Sequence, residues 1–240
     1  MMETVLSMKA RTVVCVKWGT KYPPQYVNIL YNMVKRHSKI ESNFVCLTEN
    51  PSELDRNIII KPLPSLSLEG WWMKPYVFSK DLGLKGDILF LDLDLVICDN
   101  IDKLWSYKEN KFIIIKDFTR CMSPNYKRFN SSVYRFTAED YHWIWDDFHR
   151  SYKDIVKKHH GDQDYLFEKL QDKAETWPIN WIQSYKWEIR DQKDLTIING
   201  KRNFNTIINP NIPYECAIAV FHGDPKPSEC KDPWVINAWK

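Results

Sequence analysis

The chain has 240 residues, 44% of them hydrophobic, which is enough to build one large α/β domain with a sizeable buried core. Lys and Arg number 34 against 31 Asp and Glu, a net charge of +3, so the footprint of duplex-wide phosphate binding is missing and nucleic acid is excluded as the main partner. Six cysteines without any C-x-x-C pair point to free thiols in a reducing compartment. No signal-like start and no uncharged apolar window of about 18 residues are present, and the expected location is cytoplasmic, without a transmembrane segment.

In chain order, "RTVVCVK" reads as a buried strand over Thr12–Lys17, followed by a loop with Gly19 and Pro23-Pro24 and by a helix whose Tyr26, Ile29, Leu30, Met33 and Val34 recur at three and four residues. "NFVCLTEN" and "NIIIKPLP" are short strands, the second ended by prolines. "EGWWMKPYVFSKDLGL" is helix-like with an interruption near Pro75, and it feeds a strand over Asp87–Leu91. "KFIIIKDF" and "NSSVYRF" are further strands. A long helix follows from "TAEDYHWIW", with Thr137 expected as N-cap and Asp140 in the capping-box position. Its end, Lys157-Lys158-His159-His160, reads as a solvated helix terminus, with an anion contact as the alternative. A helix over Gln163–Leu170 is expected to take Asp162 as its N-cap. Past about residue 172 the pattern is irregular, with apolar pieces at Leu195–Ile198, Thr206–Ile208 and Ala217–Phe221. Strands alternating with helices predict an α/β fold with a mostly parallel central sheet flanked by helices. No linker divides the chain, so residues 1–240 are read as one domain, with a first half over about 1–125 and a second, more irregular half over about 126–240.

The informative stretch is "DILFLDLDLVICDN". Its apolar run delivers Asp92 to the carboxyl edge of the sheet, where ligands of open α/β sheets bind. Asp94 lies two residues on, so an extended backbone turns both carboxylates to one side and Leu93 to the other. Like charges this close raise one another's pKa unless a cation lies between them, and a hard divalent ion such as Mn²⁺ or Mg²⁺ answers that need. The alternative is one Asp capping a turn and the other solvated.

A hydrophobic strand ending in D-x-D resembles the metal motif of glycosyltransferases with the GT-A (Rossmann-like) fold, and three further segments are similar to their family 8, the glycogenin and galactosyltransferase-like branch. "VFHGDPKP" resembles the branch's terminal H-x-x-G-x-x-K-P, with His222 and Gly223 adjacent and the spacing shortened by two. "GDQDYLF" resembles D-Q-D-x-L-N, with Phe167 in place of Asn, and "RFNSSVYRF" resembles F-N-x-G-V, with Ser132 in place of Gly.

The resemblance implies a glycosyltransferase that uses a nucleoside-diphosphate sugar, with UDP the expected nucleotide, and retains anomeric configuration. It implies Asp92, Asp94 and His222 as metal ligands and Asp162 and Gln163 as catalytic and sugar-binding residues. Asn130 and Ser131 would be further sugar contacts. Val16, Lys17, Trp18, Lys74, Asp92, Gly223 and Lys226 would bind the nucleotide and diphosphate, with Trp18 or Tyr22 against the base. The acceptor is open. A glycan is attractive because Trp177, Trp181, Tyr185 and Trp187 crowd the irregular half, although tryptophans more often fill cores. Two rivals remain: a haloacid-dehalogenase-type phosphatase, with Asp146-Asp147 as its later acidic pair, and a non-catalytic nucleotide-sugar-binding module.

Overall fold

The computed structural model describes residues 9–190, 195–198, 201–204 and 212–240. The first strand, β1 (Arg11–Lys17), leads through the Pro23-Pro24 loop into α1 (Pro24–His37), and β2 (Asn43–Thr48) and β3 (Ile59–Lys61) follow. A 3-10 helix spans Gly70–Phe78 and a second Lys80–Leu82. Next come β4 (Asp87–Leu91), β5 (Leu95–Ile97), α2 (Lys103–Ser106), β6 (Ile113–Lys116) and β7 (Phe129–Thr137). The later part carries α3 (Ala138–Lys158), α4 (Asp162–Leu170), β8 (Glu175–Thr176), β9 (Ile182–Ser184), a π-helical turn at Tyr185–Ile189, the hairpin β10 (Leu195–Ile198) and β11 (Lys201–Phe204), β12 (Ile218–Val220) and α5 (Pro233–Ala238).

The main sheet has seven strands in the order β3-β2-β1-β4-β7-β6-β8. Its β3-β2-β1-β4 portion is parallel, β7 runs antiparallel to both β4 and β6, and β8 is parallel to β6. A smaller sheet, β5-β12-β9, brings chain from residue 218 onward back against the segment just after Asp94.

The strands are apolar on both faces because both faces are covered. In β4, Leu89 and Leu91 enter one buried cluster with α1 and the small sheet, while Ile88 and Phe90 enter the other with α3, α4 and the 3-10 helix. This is the period of two that a strand imposes, and β1 (Val13 and Cys15 against Val14) and β6 (Ile113 and Ile115 against Ile114) divide in the same way.

The chain winds outward from β1 to β2 and β3, then returns to place β4 on the other side of β1. The strand order therefore reverses at the β1/β4 boundary, where a crevice opens beyond the carboxyl ends.

Several local expectations are corrected. Pro75 does not interrupt the stretch after Gly70, because a 3-10 helix runs through it. Thr137 stands at the N-cap position of α3 without capping it: its hydroxyl bonds Asp87 Oδ1 at 3.2 Å and takes a bond from Lys9 Nζ at 3.1 Å, and no side-chain cap with Asp140 forms. The N-cap of α4 is Gly161, and Asp162 is already inside the helix with its carboxylate turned to a lysine. The piece Thr206–Ile208 lies outside the described residues, whereas Leu195–Ile198 forms one arm of the hairpin. All six cysteines are free thiols, and among the described residues no helix is long and apolar enough to cross a membrane.

Candidate active site

A cavity of about 700 Å³ occupies the crevice beyond β1 and β4. Its wall is assembled from six separate parts of the chain: Val16 to Tyr22 at the end of β1 and in the loop after it, Gly70 to Lys74 on the 3-10 helix, Asp92 to Asp94 after β4, Asn130 to Ser132 at the start of β7, residues 160–164 at the entry to α4, and the loop at 222–226. Every site residue expected from the sequence lines it except Lys17, which is buried and donates from Nζ to the carbonyl of Gly19 at 3.3 Å.

Charge in the cavity alternates. The ammonium of Lys74 is buried among acceptors, at 3.0 Å and 3.1 Å from the two oxygens of Asp92, 3.0 Å from Ser131 Oγ and 3.4 Å from Asp162 Oδ2. Burial works to discharge Lys74, but the carboxylates of Asp162 and Asp92 outweigh it and hold its pKa above the ordinary value. The carboxyl of Asp92 is pushed up to about 6, first by desolvation; Lys74 opposes that push, and the neighbouring charges of Asp94 and Asp162 add to it.

Asp94 is held from the other side. Lys226 Nζ lies 2.5 Å from its Oδ2, and the Tyr22 hydroxyl donates to the same oxygen at 2.8 Å. Tyr22 holds its proton far into the alkaline range because of burial and then the Asp94 charge.

His222 is clamped between rings. It stacks on Phe118 at 5.1 Å, meets Trp187 edge-on at 4.7 Å, and its Nε2 lies 2.7 Å from Ser184 Oγ. Gly223 beside it has φ +70°, a conformation L side chains rarely adopt, and a Cβ there would fall 2.8 Å from Lys186 Nζ.

Two carboxylates and an imidazole on one wall are, in kind, the donors a hard divalent ion takes. In placement they are engaged elsewhere: among the described residues no three His, Cys, Asp or Glu side chains stand as a group that could hold an ion. Lys74 and Lys226 neutralise the carboxylates instead, so an ion enters this wall only as the ammonium groups give way.

Asp162 is the other informative acid. It is 4% exposed, and its Oδ2 has no hydrogen-bond partner among the described residues, only the ionic approach of Lys74. Leaving such an oxygen unbonded is costly, and it lies in the lining beside Gln163, Asn130 and Ser131. Asn130 already accepts at Oδ1 from the backbone N–H of Ser132 at 3.0 Å.

The tryptophan-rich segment fills core, the commoner habit of tryptophan: Trp177 and Tyr185 are buried, Trp181 and Trp187 are half-buried against the core, and none of the four lines the cavity. Asp146 and Asp147 lie on α3 away from the lining, with Asp147 paired to Lys169 at 2.9 Å, so the second acidic pair of a phosphatase does not meet Asp92. Sequence reasoning missed Trp71, Lys21, Asp164 and Asp224, all on the cavity wall, and His160, read mainly as part of a solvated helix end, joins them there. Their residue types carry no signal until the loops that hold them are placed together.

The fold is shared with solved glycosyltransferases. An active-site mutant of LgtC superposes with a TM-score of 0.67 at 15% identity, covering 94% of this chain and 93% of that one. The galactosyltransferase LgtC in complex with donor and acceptor sugar analogs gives 0.64 at 16% identity with the same coverage. The glycosyltransferase GlyE of Streptococcus pneumoniae TIGR4 gives 0.63 at 14% identity over 90% of this chain and 56% of its own. No protein-family profile matches the chain, and no curated protein matches it. At these identities the likeness shows the fold alone, the GT-A architecture that these glycosyltransferases share.

Proposed function

We propose that the protein is a metal-dependent glycosyltransferase that moves a sugar from a nucleoside-diphosphate sugar, with UDP as the nucleotide, to an acceptor with retention of configuration. One observation carries this reading: the Asp162–Lys74–Asp92 and Asp94–Lys226 contacts line a single cavity at the switch point of the sheet. We read residues 1–240 as one functional unit, because both halves of the chain furnish that wall.

Breaking a glycosidic bond to a diphosphate builds negative charge on the departing phosphates, and preorganised cations at that place lower the barrier. Lys226 and Lys74 supply such charge, and the bare backbone at Gly223 permits close approach of a phosphate. Asp92, Asp94 and His222 would hold a Mn²⁺ or Mg²⁺, which when bound acts as a Lewis acid on the leaving diphosphate. Asp162 takes a donor-sugar hydroxyl, and Gln163, Asn130 and Ser131 orient the ring. Val16, Trp18 and Tyr22 face the nucleoside. The six free thiols support a reducing, cytoplasmic setting.

The test is a panel of UDP- and GDP-sugars with Mn²⁺, monitored for release of free nucleoside diphosphate. Slow hydrolysis of one UDP-sugar is expected. Turnover of p-nitrophenyl phosphate without nucleotide, or nucleotide-sugar binding with neither hydrolysis nor transfer, would overturn the assignment.

A further inference from the structure

Trp71 and Trp72 are adjacent in sequence and opposite in environment. Trp72 is 8% exposed and stacks on Phe148 in the core, whereas Trp71 is 53% exposed and forms part of the cavity wall. Side chains three apart eclipse one another in a 3-10 helix. Trp72 shares its row with Pro75 and Phe78, both buried, and Trp71 shares its own with Lys74 and Val77, also buried; Trp71, in the first turn, forms cavity wall above Lys74, the residue that joins Asp92 to Asp162.

The indole is seated as well as exposed. Its Nε1 and Cδ1 rest against Gly161, where an added Cβ would lie only 3.4 Å and 3.6 Å away. Around it on the same wall are His160, Gln163 and Asp164. A large ring left in water next to hydrogen-bonding side chains matches the two sides of a pyranose, which offers an apolar C–H face to an aromatic surface and hydroxyls to polar groups.

We infer that Trp71 is the stacking platform of the acceptor subsite and that the acceptor is a pyranose-containing saccharide. This rests on the glycosyltransferase reading, and the experiment separates the two. Release of nucleoside diphosphate from the preferred UDP-sugar is measured with and without methyl β-D-galactopyranoside, methyl β-D-glucopyranoside, lactose and maltose, for wild type, Trp71→Ala and Trp71→Phe. Melting curves run alongside check folding.

One or more of these saccharides is expected to accelerate release and to appear in a glycosylated product. Trp71→Ala should raise the KM for that saccharide at least tenfold with a donor KM changed less than threefold, and Trp71→Phe should recover most of the loss. Donor hydrolysis that no saccharide accelerates, an acceptor KM indifferent to Trp71→Ala, or a rise confined to the donor KM, which would place the ring against the base, each overturns the platform and leaves the transferase standing. Absence of any donor turnover in wild type would remove the underlying reading itself, and the platform with it.

Discussion

At the scale of single residues, the candidate site is a problem in charge balance. Asp92, Asp94 and Asp162 share one cavity, and each carboxylate is met by an ammonium drawn from elsewhere in the chain, Lys74 before β4 or Lys226 near the C-terminus. The balance is incomplete at Asp92, whose pKa is pushed up to about 6 by desolvation first and by the two other acids, against the pull of Lys74. Below pH 6 that carboxyl takes a proton, and a proton competes with an ion for the same oxygens. Mn²⁺-dependent UDP affinity is therefore expected to fall about tenfold between pH 7 and pH 5, read by titration calorimetry; an affinity flat across that range would remove Asp92 from the ion's shell. Stability moves in the opposite sense. A carboxyl raised in the folded protein binds more protons folded than unfolded between its ordinary value of 3.8 and about 6, so the contribution of Asp92 to stability grows as pH falls through that window.

Much of this residue set was legible in the chain, for reasons that can be named. Asp92 follows four apolar residues that only a buried strand accommodates, so its place at the carboxyl edge is fixed by local pattern. Lys74 and Lys226 were legible only through the motifs around them, because a lysine in a helix or loop looks the same whether it is solvated or buried against acids. Trp71 was not separable from Trp72: both rows of the 3-10 helix Gly70–Phe78 are buried further along, so only the placed cavity wall tells the two rings apart, and Pro75 in that stretch reads as an interruption instead. Asp162 and Thr137 show the converse error. Each has the side chain of a helix cap, yet tertiary partners, Lys74 in one case and Asp87 with Lys9 in the other, claim that side chain first.

At the scale of elements, the strands with apolar character on both faces were readable, since β1, β4 and β6 carry continuous hydrophobic runs. The short strands β5, β8 and β9 were not, because two or three residues carry no period and form only against partners distant in sequence. Arg135 on β7 was equally silent. Its guanidinium is buried and donates to four carbonyls, those of Leu104, Trp105, Tyr107 and Lys108, at 2.6–2.8 Å, so it satisfies the end of α2 and the turn that leads to β6. Burial lowers its pKa, with only weak opposition from Asp87 and Glu109. Arg135→Met removes these donors and leaves the carbonyls unpaired inside the protein, and an expected loss of roughly 3 kcal/mol follows from buried acceptors without partners. Urea unfolding of the variant measures it; a loss below about 1 kcal/mol would show that water reaches those carbonyls and that the cap is dispensable.

At the scale of the whole molecule, the winding order brings residues from 16 to 226 onto one cavity. Ligand binding there should tie both halves of the chain together and register in global stability, since a ligand bound only by the folded state adds RT ln(1 + [L]/Kd). The most direct measurement is thermal melting with UDP and Mn²⁺ at about a hundredfold excess over Kd, for wild type and Asp94→Asn. The expected result is a rise in Tm of roughly 5–10 °C for wild type, absent with UDP when Mn²⁺ is omitted and absent in Asp94→Asn. An equal rise in Asp94→Asn, or one indifferent to Mn²⁺, would contradict an ion held on the D-x-D wall.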